Sequence, residues 1–148
     1  MDGWDFSWLD GRATEKRPSW GYQRLLGERL ASASAAVDLQ TGGTYFAQHV
    51  GPASVVELAE FFLGPRPQAD TERHPDDESA EAKAAGLQVI DARLERLRME
   101  FFDVGAVVHF LRKVIWIVPG FTAERYRDRL RELHERIESE GRLVAHSS

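Results

Sequence analysis

Val37-Asp38-Leu39-Gln40-Thr41-Gly42-Gly43-Thr44-Tyr45-Phe46-Ala47-Gln48-His49-Val50 is the stretch on which the fold class turns. Two short apolar runs, 36–40 and 44–50, flank a glycine pair, and each reads as a β-strand. A strand, an acidic residue and then glycines is the pattern of a nucleotide-binding turn, where the backbone bends tightly and approaches a ligand closely. Such a turn is followed by a helix N-terminus that supplies amide donors. Here the chain re-enters a strand, which is equally the pattern of a β-hairpin. Local chemistry leans to the plain turn. Gln48 and His49 close the second strand, at the end where ligands of open α/β sheets bind. The same position suits a residue that caps the next turn.

Outward from this stretch, helices alternate with the strands. Pro18 and Ser19 open a helical segment with Leu25, Leu26 and Leu30 on one face. Ser54-Val55-Val56-Glu57 has the form of a capping box, and the helix it starts runs to Leu63, before Gly64-Pro65. Residues 66–77 form a loop, Glu78 to Ala85 a short helix, and Leu87-Gln88-Val89-Ile90 a strand that fades into the charged stretch Arg93 to Arg98. An apolar helix over Val104 to Val118 ends at Pro119-Gly120. The last helix starts at Thr122, carries Tyr126, Leu130, Leu133 and Ile137 on one face and stops at Gly141, before a strand from Leu143. The class is α/β.

Composition bounds the function. The 148 residues suffice for one domain, and 43% are apolar. A net charge of −5 argues against a nucleic-acid partner bound by phosphate neutralisation. With no cysteine, disulfides, thiolate metal sites and cysteine nucleophiles are excluded. The run Val104 to Val118 is shorter than the roughly 20 residues that span a bilayer and contains Arg112 and Lys113. With no secretion signal in Met1-Asp2-Gly3-Trp4-Asp5, a cytoplasmic protein away from the membrane is expected.

The histidines, His49, His74, His109, His134 and His146, show no metal-binding spacing, so no metal is expected. His74 beside Asp76, Asp77 and Glu78 reads as a solvated helix start, and His109 as a satisfied core residue. Trp4, Phe6 and Trp8, with Trp20 and Tyr22 further on, form an aromatic arm. Such an arm packs on the core or covers a ligand.

Taken in order, several blocks resemble class I S-adenosylmethionine-dependent methyltransferases, in particular an actinobacterial-type group of small methyltransferase-domain proteins. Arg17-Pro18-Ser19-Trp20-Gly21-Tyr22 and the helix after it look like the segment preceding the cofactor domain. Val37 to Gly43 is similar to motif I, and Gly42 to Val50 resembles the later glycine-glycine strand block. Ala85-Gly86-Leu87-Gln88-Val89 is like a strand near the end of that fold, and Met99 to Phe121 resembles the helical insertion over the substrate side.

The resemblance implies a shortened Rossmann-like fold with an incomplete sheet and a helix-rich C-terminal half. The arm and first helix span 1–35, the core remnant 36–97, and the insertion with the start of the last strand 98–148. It implies S-adenosylmethionine as cofactor, held by Asp38, Gly42 and Gly43 with Trp20 and Tyr22, a small-molecule acceptor, and His49 as the base. Motif I and the later strand block share Gly42-Gly43 here, whereas in the family whole strands and helices lie between them. On the scale of a domain, roughly 100 residues are missing. A parallel pair of strands needs a crossover of a dozen or more residues, so these two form a hairpin, merge or stay poorly ordered. Impaired methyl transfer is therefore one expectation. A non-catalytic interaction or homo-oligomerisation module derived from a methyltransferase is the other.

Overall fold

A computed structural model describes residues 5–31, 50–51, 53–65 and 74–148. The chain divides into two compact units, 17–50 and a larger one made of 1–16 with 51–148. In the smaller, residues 17–31 and 50 are described, and Tyr22–Ala31 form helix α1. The glycine pair and the strands expected around it, up to position 49, lie outside the described residues.

The larger unit is a mixed α/β arrangement built on an open three-stranded antiparallel sheet in the order β1 (Ala13–Glu15), β2 (Leu97–Phe101), β3 (Leu143–Ser147). Leu97-Arg98-Met99-Glu100-Phe101 alternates apolar and charged residues, the period that puts one face inward. Met99 and Phe101 are buried while Arg98 and Glu100 pair on the other face. The register Met99↔Ala145 and Phe101↔Leu143 sets four buried side chains side by side.

Helix α2 (Val56–Leu63) buries Leu58, Ala59 and Phe62. Helix α4 (Val104–Lys113) buries Ala106, Val107, Phe110 and Leu111, and α5 (Arg127–Glu140) buries Leu133 and Ile137. These meet the inward face of the sheet in one core, with Val114, Ile117 and Val118 from the turn between α4 and α5. Phe62 is the junction of an aromatic group, edge-on to Phe61, Phe121 and Tyr126 at 5.2, 5.6 and 5.5 Å. Helix α3 (Pro75–Ala84) buries nothing. It stands on local chemistry, with His74 as N-cap, Pro75 in the first turn and three acidic residues against the positive helix end.

Several expectations are corrected. The expected strand at 87–90 does not form: Leu87 and Ile90 are 53% and 66% exposed and no strand among the described residues faces them. The strand lies instead at 97–101, partly inside the charged stretch. The apolar helix stops at Lys113, not Val118. Val114, Ile115, Ile117 and Val118 are β-branched, and Pro119 disfavours helix at the residue before it. The capping box is not made. Val55, in left-handed conformation, precedes α2 with no side-chain cap. Ser54 Oγ instead accepts from the Ser148 amide, and Glu57 is drawn to β3. Thr122 opens only a turn, accepting from Arg125 N at 3.1 Å, and α5 proper begins at Arg127. Gly141 ends it as expected, at φ 78°, where other residues are strained. The three-residue strand β1 had no signal of its own.

The described part of the arm in the larger unit, residues 5–12, packs on the core. Phe6 and Leu9 lie against it, and Trp8 stacks on His109 at 4.9 Å with the Arg12 guanidinium 3.5 Å from its ring centroid. Arg12 also forks onto Asp103, at 2.8 and 2.6 Å, while Asp103 Oδ1 accepts from Ala106 N and caps α4. A Cβ at Gly105 would lie 2.8 Å from Arg12 and 3.3 Å from Trp8, so only glycine lets the arm approach this closely.

The Arg12 guanidinium, helped by the Ala106 amide, holds the Asp103 carboxyl below its ordinary range. The stabilisation this gives is present above the unfolded carboxylate value near pH ~4 and is lost as pH falls through the lower folded value. Asp103→Ala removes the cap and the ion pair and is expected to cost about 1–2 kcal/mol in urea unfolding, whereas Asp103→Asn keeps a cap and costs less.

Candidate functional site

The residues that the sequence marks as a site fall in two places. Asp38, Gly42, Gly43 and His49 lie outside the described residues. Trp20 and Tyr22 belong to the smaller unit. Trp20 is half-buried and its carbonyl accepts from Arg24 at 3.0 Å, across the start of α1, which Tyr22 opens.

Among the described residues, charge, strain and a concavity converge where the loop before α2 meets the end of β3. Val55 N donates to His146 O at 2.6 Å, and Gly51 N donates to Ser148 O. The approach is close. A Cβ on Gly51 would lie 2.7 Å from the Leu94 side chain and 2.8 Å from the Ser148 backbone. To run this way the loop takes left-handed conformations at Ala53 (φ 55°) and Val55 (φ 56°). These cost roughly 1–2 kcal/mol each for residues with a Cβ, and such strain collects at ligand clamps and functional loops.

One turn on, Glu57 reaches β3. Its Oε1 lies 2.7 Å from His146 Nδ1 and accepts from Arg96 at 2.6 Å, while Oε2 accepts from the His146 amide at 3.2 Å. Burial works against the charge of Glu57, but the bonds from His146, the backbone and Arg96 outweigh it and hold the carboxyl below its ordinary range. An ionised carboxylate only accepts, so the ring turns a protonated Nδ1 toward Glu57. This is the arrangement by which a carboxylate orients an imidazole for proton transfer. Arg96 and Ser148, with Ala53, Val56 and Leu94, line a half-open concavity of about 460 Å³, within the size range of small-molecule sites.

Sequence reading missed this cluster because Glu57 and His146 are 89 residues apart. Glu57 read as a capping residue and His146 as one more strand position. The only cue was that both are polar in otherwise apolar segments. His109 departs from expectation too. Its Nε2 is buried with no hydrogen-bond partner among the described residues, and its ring stacks on Trp8. A second, smaller concavity, about 200 Å³, lies along Leu111, Arg112, Ile115, Val118, Gly120 and Phe121 and holds no comparable polar group beyond Arg112. Among the described residues no group of three metal-binding side chains comes together. No described helix is long and apolar enough to cross a membrane. Comparison with family models, with curated proteins and with solved structures finds no match to this chain.

Two substitutions in the strained loop should move stability in opposite directions in thermal or urea unfolding. Ala53→Gly relieves an exposed left-handed residue and is expected to stabilise by up to about 1 kcal/mol. Gly51→Ala forces a methyl into the Ser148 backbone and is expected to destabilise by about 1–3 kcal/mol.

Proposed function

We propose that the chain is a shortened, Rossmann-derived member of the S-adenosylmethionine-dependent methyltransferases, with a small-molecule acceptor and impaired methyl transfer. The reading rests on the ordered sequence blocks. One observation of the fold supports it: residues 104–140 form a helical excursion between two strands that are immediate neighbours, paired from Leu97↔Ser147 to Phe101↔Leu143. A helical insertion beside a sheet is what the resemblance implies for this segment. Asp38, Gly42 and Gly43 are assigned to the cofactor, Trp20 and Tyr22 to its cover, and His49 to the proton transfer. The cofactor supplies an electrophilic methyl group on a sulfonium; the chain's share is to position the acceptor and take its proton. A cytoplasmic setting and the absence of a nucleic-acid partner belong to the same proposal.

A second reading, a non-catalytic interaction or homo-oligomerisation module, draws on the turn after α4. There Ile115 and Trp116 sit adjacent at 66% and 49% exposure, more apolar surface than a turn usually shows water.

Titration calorimetry with S-adenosylmethionine separates the two. Weak but saturable heat, reduced at least about tenfold by Asp38→Ala, is the expected result. A folded chain that gives no heat overturns the methyltransferase reading. A defined dimer in light scattering that Trp116→Ala dissociates would then carry the second reading.

A further inference from the structure

Arg12, Arg96, Arg98, Arg129, Arg136 and Arg142 each hold a carboxylate in an ion pair. Arg112 and Arg125 are among the few described arginines that do not, and no described carboxylate pairs with either. Arg112 lies in the last turn of α4, where the helix dipole favours a cation without neutralising it. The Arg125 guanidinium lies 5.4 Å from the Tyr126 ring centroid, a contact that steadies it and takes none of its N–H donors. Both border the concavity of about 200 Å³ that follows α4. Arg112 lines it. Arg125 Nη1 stands 3.3 Å from the point that a Cβ on Gly120 would occupy, and Gly120 lines it too.

The other side chains of the lining, Leu111, Ile115, Val118 and Phe121, are apolar. Leu111 and Val118 belong to the core, whereas Ile115 is 66% exposed, apolar surface that water covers at a cost. The space holds roughly six or seven groups the size of a water molecule, the bulk of a short alkyl chain. An alkyl chain matches this lining, and a negative head matches the two cations. An ammonium head would meet like charge, and an alcohol would leave both guanidiniums unneutralised. We propose that this concavity binds a medium-chain carboxylate, its chain against Leu111, Ile115 and Val118 and its head accepting from Arg112. The planar guanidinium fork fits the two carboxylate oxygens. Arg125 adds positive charge on the Gly120 side. None of these residues is assigned to the cofactor above, so the site stands apart from the methyltransferase reading. It differs from the second reading in what covers Ile115, a ligand rather than a second copy.

The test uses the intact chain and sodium octanoate, without S-adenosylmethionine, read by NMR at the methyl groups of Leu111, Ile115 and Val118. Saturable shifts are expected at all three. Hexanoate, two methylenes shorter, is expected to bind roughly tenfold more weakly. Octylammonium has the same chain and the opposite charge, and is expected to give no saturable shift. Arg112→Met keeps an apolar stem and should weaken octanoate about tenfold, the worth of a charged hydrogen bond. Arg125→Met should weaken it about threefold, as an exposed charge does. Both arginines are exposed, so neither variant disturbs the core. Equal binding of octanoate and octylammonium, or an octanoate affinity unmoved by Arg112→Met, overturns the proposal. No saturable shift at Ile115 overturns it as well, including the case where a second copy covers that side chain. Because no cofactor is present, its failure is distinct from a failure to bind S-adenosylmethionine.

Discussion

The structure of the larger unit depends on the antiparallel pairing of β2 with β3. The two strands come from parts of the chain far apart, as the Arg142–Glu100 ion pair across 42 residues shows. Closing such a loop costs entropy that grows only slowly with its length, and three short strands cannot stand alone in water. The excursion between them offsets both. Helices α4 and α5 lay Val107, Leu111, Leu133 and Ile137 over the face that Met99, Phe101, Leu143 and Ala145 make together. Slip the register by one residue and Arg98, Glu100 and His146 would turn inward in place of that face. Alternation on both strands is therefore what fixes one pairing.

Where the signal was local and strong, the sequence was legible. Gly64, Gly141, the amphipathic face of α5 and the strand from Leu143 all stand where their residues put them. The misreadings have physical causes. Leu87 to Ile90 looked like a strand because it is apolar, but no strand among the described residues faces it. Leu97 to Phe101 looked charged because alternation was masked by Arg96, Arg98 and Glu100. Val104 to Val118 was one apolar run in sequence, yet only its first part is helical, since β-branched residues before a proline pack better as a turn. The cluster at Glu57 was not legible at all. Nothing in 54–57 separates a capping glutamate from one that crosses to a distant strand.

The loop from Gly51 to Glu57 shows how local preference yields to tertiary demand. A capping serine and glutamate were both available, and neither caps. Val55 adopts a conformation that β-branched residues avoid, and its side chain is only 3% exposed. Burying a valine contributes roughly 1.5–3 kcal/mol, enough to offset the backbone strain. The amide bond to His146 O adds to it. The loop also covers one side of β3, while β1 closes the other side of the sheet with three residues that end in Glu15. Neither side of the described sheet presents a long apolar strand on which another chain could pair.

Asp103 ties two elements with one carboxylate. It ends the first turn of α4 and receives Arg12, which lies against Trp8, which in turn covers the unpartnered His109. The arm cannot lift without releasing the guanidinium, and the helix cannot fray without moving the carboxylate. The two openings therefore form one cooperative unit. Amide exchange at Ala106 and protease cleavage near Gly11 then report the same local equilibrium, though the two sites are far apart along the chain.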